Sequence, residues 1–152
     1  MKPLSRGYAL LLMLLALAVI SMSAASFFQL GLFGQRRTAE LELLEKGERM
    51  DAALLSFAKL SATDQNRLPK SLDDLLRDPR YPKSIVRHLR QIEVDPMTGQ
   101  KEWGLVWSED GKGIVGVHSL SEQKPVMTLF GPQYAKFKDL PRYADWVFGQ
   151  NP

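Results

Sequence analysis

His88 and His118 are the only histidines among 152 residues, and there is no cysteine. Without cysteine there are no disulfide frameworks, thiolate metal sites, redox pairs or cysteine nucleophiles. A lipoprotein anchor, which needs a cysteine, is excluded as well. His88 stands between Arg87 and Arg90, a poor setting for a further cation, and no second ligand lies at a metal-binding spacing. Packing or surface roles are expected for both histidines. Ser119 and Ser121 lack the glycine-framed elbow of a serine nucleophile. The loop from Ser119 to Lys124 carries one carboxylate, Glu122, where a calcium site needs several oxygen ligands. The stretch from Gly99 to Gly116 has no phosphate-loop pattern. Five cations, Arg77, Arg80, Lys83, Arg87 and Arg90, leave two readings open: a solvated face, or a site for an anion or partner. The residues thus offer no catalytic group, no cofactor site and no metal site, and a non-enzymatic role is expected.

The charge distribution points to the elements. The formal net charge is +3, but Lys2, Arg6, Arg36 and Arg37 account for the excess. From Thr38 onward there are 16 basic and 17 acidic residues, a net of -1. No basic domain is left to support nucleic-acid binding. Between the two basic pairs, Gly7 to Gln35 contains no charged residue. The 26 residues from Tyr8 to Phe33 would span about 39 Å as a helix, and a bilayer core needs about 20 residues. A transmembrane helix over 8–33 is expected, with Ser21, Ala24 and Ala25 as its small-residue packing face. The flanking charges do not orient it. A secretory signal peptide is the competing reading, because the small residues from Ser21 to Ser26 offer cleavage positions. The return of apolar residues at Phe27, Phe28 and Leu30 favours a retained helix.

No proline occurs between Pro3 and Pro69, so the helix is expected to continue over 34–62. Leu43, Gly47, Met50, Leu54 and Phe57 form one helical stripe, read as core packing. Glu42 with Lys46, and Glu45 with Arg49, stand in the favoured i,i+4 order. Gly31, Gly34 and Gly47 are expected to bend or weaken the helix locally. The head, 63–152, is expected to open with a helix capped at Ser71, with Asp73 and Asp74 in its first turn. A second short helix is expected over Ser84–Gln91. Asp95-Pro96-Met97-Thr98-Gly99 reads as a turn. Trp103–Trp107 and Ile114–His118 read as a hairpin, with Trp103, Leu105 and Trp107 on one face, and Val126–Phe130 as a third strand. The apolar tail around Trp146 is expected to dock on the sheet. The expected class is α+β: a long N-terminal transmembrane helix leading into short helices and a small antiparallel sheet.

Arg6-Gly7-Tyr8, between a short basic leader and a long apolar helix, resembles a type IV prepilin processing site. The blocks LPKSLDDLLRDPRYP, VRHLRQIEVDPMTGQKEWGLVW and GIVGVHSLSEQKP resemble type II secretion pseudopilins. The likeness covers nearly the whole chain. It implies removal of a leader, residues 1–7, by cleavage after Gly7, and methylation of the new N-terminal Tyr8. It also implies a pilin-like fold, a helix at 8–33 in the inner membrane and a periplasmic head. The partners it implies are other pseudopilins, a prepilin peptidase and an inner-membrane assembly platform. The sequence departs from the family at Leu12, where a glutamate usually balances a neighbouring subunit's N-terminal ammonium. A lone charge in an apolar fibre core costs several kcal/mol, on the order of a buried unpaired ion. Leu12 therefore suits a tip subunit, a minor subunit or a specialised system. The acid-poor loop at Ser119 departs from the calcium-binding loop of major pseudopilins, so no calcium is expected. A secreted or signal-anchored periplasmic binding module is the alternative.

Overall fold

The computed structural model describes the backbone of residues 6–60 and 67–149, with their side chains apart from those of 6 and 22–33. The chain divides into two units, Met1–Arg36 and Arg37–Pro152, and each is described by itself.

The first unit holds the start of helix α1 (Arg6–Lys59). No acidic residue occupies its first turn, so no side chain there complements the positive end of the helix dipole. Ser21 Oγ donates to the Leu17 carbonyl at 2.8 Å, which satisfies a hydroxyl inside a helix. Among the described residues no helix is long and apolar enough to cross a membrane. That finding corrects the transmembrane helix expected over 8–33. It also corrects the single-pass inner-membrane placement and the fold class built on such a span. The observed class is a small α+β fold with a three-stranded antiparallel sheet.

In the second unit the expected stripe is the buried face of α1. Leu43, Met50, Leu54 and Phe57 are buried, and so is Gly47. Both expected i,i+4 ion pairs form, Lys46–Glu42 at 3.5 Å and Arg49–Glu45 at 2.9 Å. Gly47 serves close packing: a Cβ there would run into the Phe148 ring. The capped helix is a single turn, α2 (Asp73–Leu76). The expected Ser71 cap is corrected: the N-cap position is Leu72, with no side-chain cap bond, and the Asp74 carboxylate instead accepts the backbone N–H of Lys70 and Ser71, before the helix, at 2.7 and 3.1 Å.

Strands β1 (Gly104–Trp107) and β2 (Ile114–His118) pair antiparallel, with an irregular register at Val106/Trp107. The expected common face is corrected. Trp103 turns inward, its Nε1–H donating to the Glu93 carbonyl at 2.9 Å, while Leu105 and Trp107 face outward. The third strand is β3 (Phe148–Gly149), paired with β2, and not Val126–Phe130. The tail therefore joins the sheet rather than merely docking on it. No helix forms over Ser84–Gln91: the N–H groups of His88 and Leu89 both donate to the Leu75 carbonyl, and Asp78 N–H donates to Val86. The core falls into two clusters. One gathers Leu43, Met50, Val117, Tyr143, Trp146 and Phe148, with Phe137 stacked on Trp146 at 5.3 Å. The other gathers Ala53, Leu54, Phe57, Leu75 and Ile114. The stripe on α1 contributes to both.

Candidate functional site

The residues singled out near the N-terminus lie on α1. Gly7 is exposed and has open space where a Cβ would project. Tyr8 is 51% exposed and Leu12 44%. Leu10, Leu11, Met13, Leu14, Leu15 and Ile20 are at least as open as Leu17, at 51%. Six consecutive apolar side chains, 10–15, point outward around the whole helix. A helix apolar on every side has its surface covered in its working state. Ser21 is exposed and spends its hydroxyl on its own helix. The side chains of Ala24 and Ala25, and residues 1–5 of the expected leader, lie outside the described residues.

In the second unit, three buried carboxylates fix irregular chain to regular elements. Glu40, on α1, is fully buried. Its Oε1 accepts the N–H groups of Val126 and Met127 at 2.6 and 3.1 Å and the Tyr143 hydroxyl at 2.8 Å, while Oε2 has no partner. The N–H groups that a third strand would have used are thus taken by a side chain.

Asp95 closes the expected turn. Its carboxylate accepts Met97 N–H at 2.8 Å, the Thr98 hydroxyl at 3.1 Å and the buried Ser119 hydroxyl at 2.7 Å. Gly99 completes the turn with φ of 73°, a conformation that favours glycine. Ser119 therefore ties this turn to the end of β2. His118 Nδ1–H donates to the Ser119 carbonyl at 2.8 Å.

Asp78 forms the third anchor. Its Oδ1 accepts Arg80 backbone N–H at 3.0 Å and Nε–H at 2.8 Å, and its Oδ2 accepts a second guanidinium nitrogen. His88 Nε2 lies 3.3 Å from Oδ2, and its Nδ1 lies 2.9 Å from Ser56 Oγ. A carboxylate only accepts, so the neutral ring carries its proton on Nε2 and Nδ1 takes the Ser56 hydroxyl proton. Burial pushes the Asp78 carboxyl up, but the hydrogen bonds from Arg80 and then His88 outweigh it and hold it at about 2.

A serine, a histidine and an aspartate in contact suggest nucleophilic catalysis, yet the arrangement is built for anchoring. Arg80 already occupies both oxygens of the aspartate. Ser56 sits within α1, where neighbouring backbone N–H groups are used by the helix and cannot serve as an oxyanion hole. The Arg80 guanidinium lies 3.7 Å over the Phe57 ring and donates to the Phe57 carbonyl at 3.0 Å. Tyr81 hydroxyl donates to the Leu60 carbonyl at 3.1 Å. The chain after α2 is therefore fastened to the last turn of α1, where carbonyls lack helical partners. None of this was readable in advance. Ser56 lies on α1 and Asp78 and His88 on irregular chain, 22 and 10 residues apart in turn, and no motif spacing links them. Among the described residues, no group of three or more His, Asp or Glu could hold a metal ion.

No protein-family model, no curated protein and no solved structure matches this chain.

Proposed function

We propose that the protein is a pseudopilin-like structural subunit, cut after Gly7 and assembled through its N-terminal helix into a type II secretion or type IV pilus-like machine. The observation that supports this reading is the exposed apolar surface of α1 from Tyr8 to Ile20. That surface gains about 25 cal/mol for each Å² removed from water, and neighbouring helices of the same composition can cover it. Assembly, rather than turnover, is then the mechanism. Other pilin-like subunits are the partners, and a prepilin-type peptidase is the processing enzyme. Gly7 and Tyr8 flank the processed bond.

Leu12 leaves the start of the helix without the carboxylate that would pair with a neighbour's ammonium, which suits a tip or minor subunit. Cysteine cross-linking tests the assembly directly, because the chain has no native cysteine to confuse it. Single cysteines at Leu10, Leu12 and Leu17 are expected to give disulfide-linked species with co-expressed pilin-like subunits or with the chain itself. A cysteine at exposed Lys101 is expected to give none. Equal cross-linking at Lys101 and at the helix positions would remove the reading. Leu12→Glu is expected not to raise incorporation into fibres, and a clear gain would show that the missing carboxylate had been limiting.

A further inference from the structure

We propose that the loop 77–91 and the groove beside it dock an acidic, extended peptide segment of a partner protein. It stands on the second unit alone and does not depend on the fibre reading.

The loop is irregular but held. Asp78 N–H donates to the Val86 carbonyl at 3.0 Å, so residues 77–78 and 86–87 are brought side by side. Inside that closure, Arg80 and Tyr81 bind the end of α1. What the anchored loop leaves outward is basic: Arg77, Lys83, Arg87 and Arg90 are all exposed. Among the described residues none of the four side chains makes an ion pair or a hydrogen bond, and Arg77 uses only its backbone N–H, on the Asp73 carbonyl. From Pro79 to Ile92 there is no acidic residue, although the chain from Thr38 onward carries a net of -1. The loop is therefore a local run of positive charge without interspersed carboxylates. Ile85, 71% exposed, stands among these cations.

Arg90 also lines an open groove of about 640 Å³, with Ala53 and Leu89 among its apolar lining and Arg49 and Glu93 among its polar lining. Arg49 is already paired with Glu45 and Glu93, which leaves Arg90 as the lining cation without a partner. A groove lined by both apolar side chains and an unpaired arginine fits an extended peptide that alternates carboxylates with apolar side chains. Three of the four outward cations are arginines, whose planar forks bind carboxylates in pairs of hydrogen bonds. A lipid surface is less well matched, since one outward isoleucine gives little apolar anchorage. The rigid loop keeps the ordering cost of binding low.

The test uses the full chain and fluorescence anisotropy with three labelled 12-residue peptides built from Glu-Glu-Leu, Gln-Gln-Leu and Lys-Lys-Leu repeats. Phosphatidylglycerol vesicles and a single-stranded oligonucleotide serve as separate anionic probes. The expected result is binding of the Glu-Glu-Leu peptide alone, weakened by raising the salt. Combined Arg87→Glu and Arg90→Glu should reduce its affinity by about tenfold or more, as loss of close charge pairs does. Arg90→Lys should give a smaller loss. Reversal of Lys101 and Lys138, exposed cations elsewhere on the head, should leave it unchanged. A matching thermal midpoint for each variant shows that the fold is retained. Equal binding of the glutamate and glutamine peptides would overturn the proposal. So would equal loss from the Lys101 and Lys138 reversals, or arginine-dependent binding to vesicles or oligonucleotide with none to the peptide.

Discussion

The Glu40 carboxylate accepts the Tyr143 hydroxyl at 2.8 Å, joining positions 103 residues apart. The same oxygen holds the N–H groups of Val126 and Met127. One side chain on α1 thus fixes both the segment after β2 and the turn that leads into β3. Glu40→Ala strands three donors, two of them backbone N–H groups. It should cost about 3 kcal/mol, since each buried donor left unmade costs about 1–3 kcal/mol and some will find water. Tyr143→Phe removes one bond and should cost about 1 kcal/mol. Urea denaturation midpoints at constant slope check both values. Equal losses for the two variants would contradict the shared-acceptor account.

Gly47 and Phe148 make a second long-range contact. Helix propensity alone favours Gly47→Ala by about 1 kcal/mol. The Phe148 ring occupies the space of the new methyl group, and overpacking of this kind costs about 1–3 kcal/mol. A net destabilisation is expected. In a double-mutant cycle with Phe148→Leu, the two losses should sum to more than the measured double loss. Simple additivity would show that the ring can move aside freely.

The Asp78 anchor predicts a pH dependence. An unfolded aspartate titrates near 3.8, and Asp78 is held at about 2. The folded value lies below the unfolded one, so the contribution is complete above about pH 4. It is lost as pH falls through about 2, when the folded carboxylate takes up its proton. Asp78→Asn should therefore lower stability at neutral pH. The gap to the parent should narrow between about pH 4 and 2. A gap that stays constant over that range would mean that the charge on Asp78 is not what holds the loop.

The stripe from Leu43 to Phe57 was legible because a helix repeats every 3.6 residues, and all five of its positions are buried. The hairpin was legible through a Gly- and Asp-rich loop between two β-branched or aromatic runs. The misread segments share one cause, since in each a distant group took the backbone hydrogen bonds. Ile85, Val86 and Leu89 have helical spacing, yet the N–H groups of His88 and Leu89 go to Leu75, and Ile85 faces outward. Val126 to Phe130 has strand composition, yet Glu40 captures its first two N–H groups, and Leu129 is 84% exposed. The two-residue strand Phe148–Gly149 is too short to produce an alternating pattern. The apolar N-terminal run was legible as apolar, and its outward side chains agree with that. The membrane span read from it does not stand, since among the described residues no helix is long and apolar enough to cross a membrane.

The proposed processing supplies a prediction at Gly7. A Cβ at that position meets nothing in this chain, so Gly7→Ala and Gly7→Asp should leave the fold and its thermal midpoint unchanged. Any difference in cleavage then reflects the peptidase. Alanine should be cut far better than aspartate, as read by immunoblot of the shortened and full-length forms. Equal cleavage of the two would place the processing site elsewhere.

Under the proposed reading, this chain becomes an assembly subunit through cleavage after Gly7. The most direct measurement is the intact mass of the mature protein from cells that contain a prepilin-type peptidase. The account predicts loss of residues 1–7 and one methyl group on Tyr8. A mature N-terminus near Ser26, or an uncut chain that begins at Met1, would contradict it.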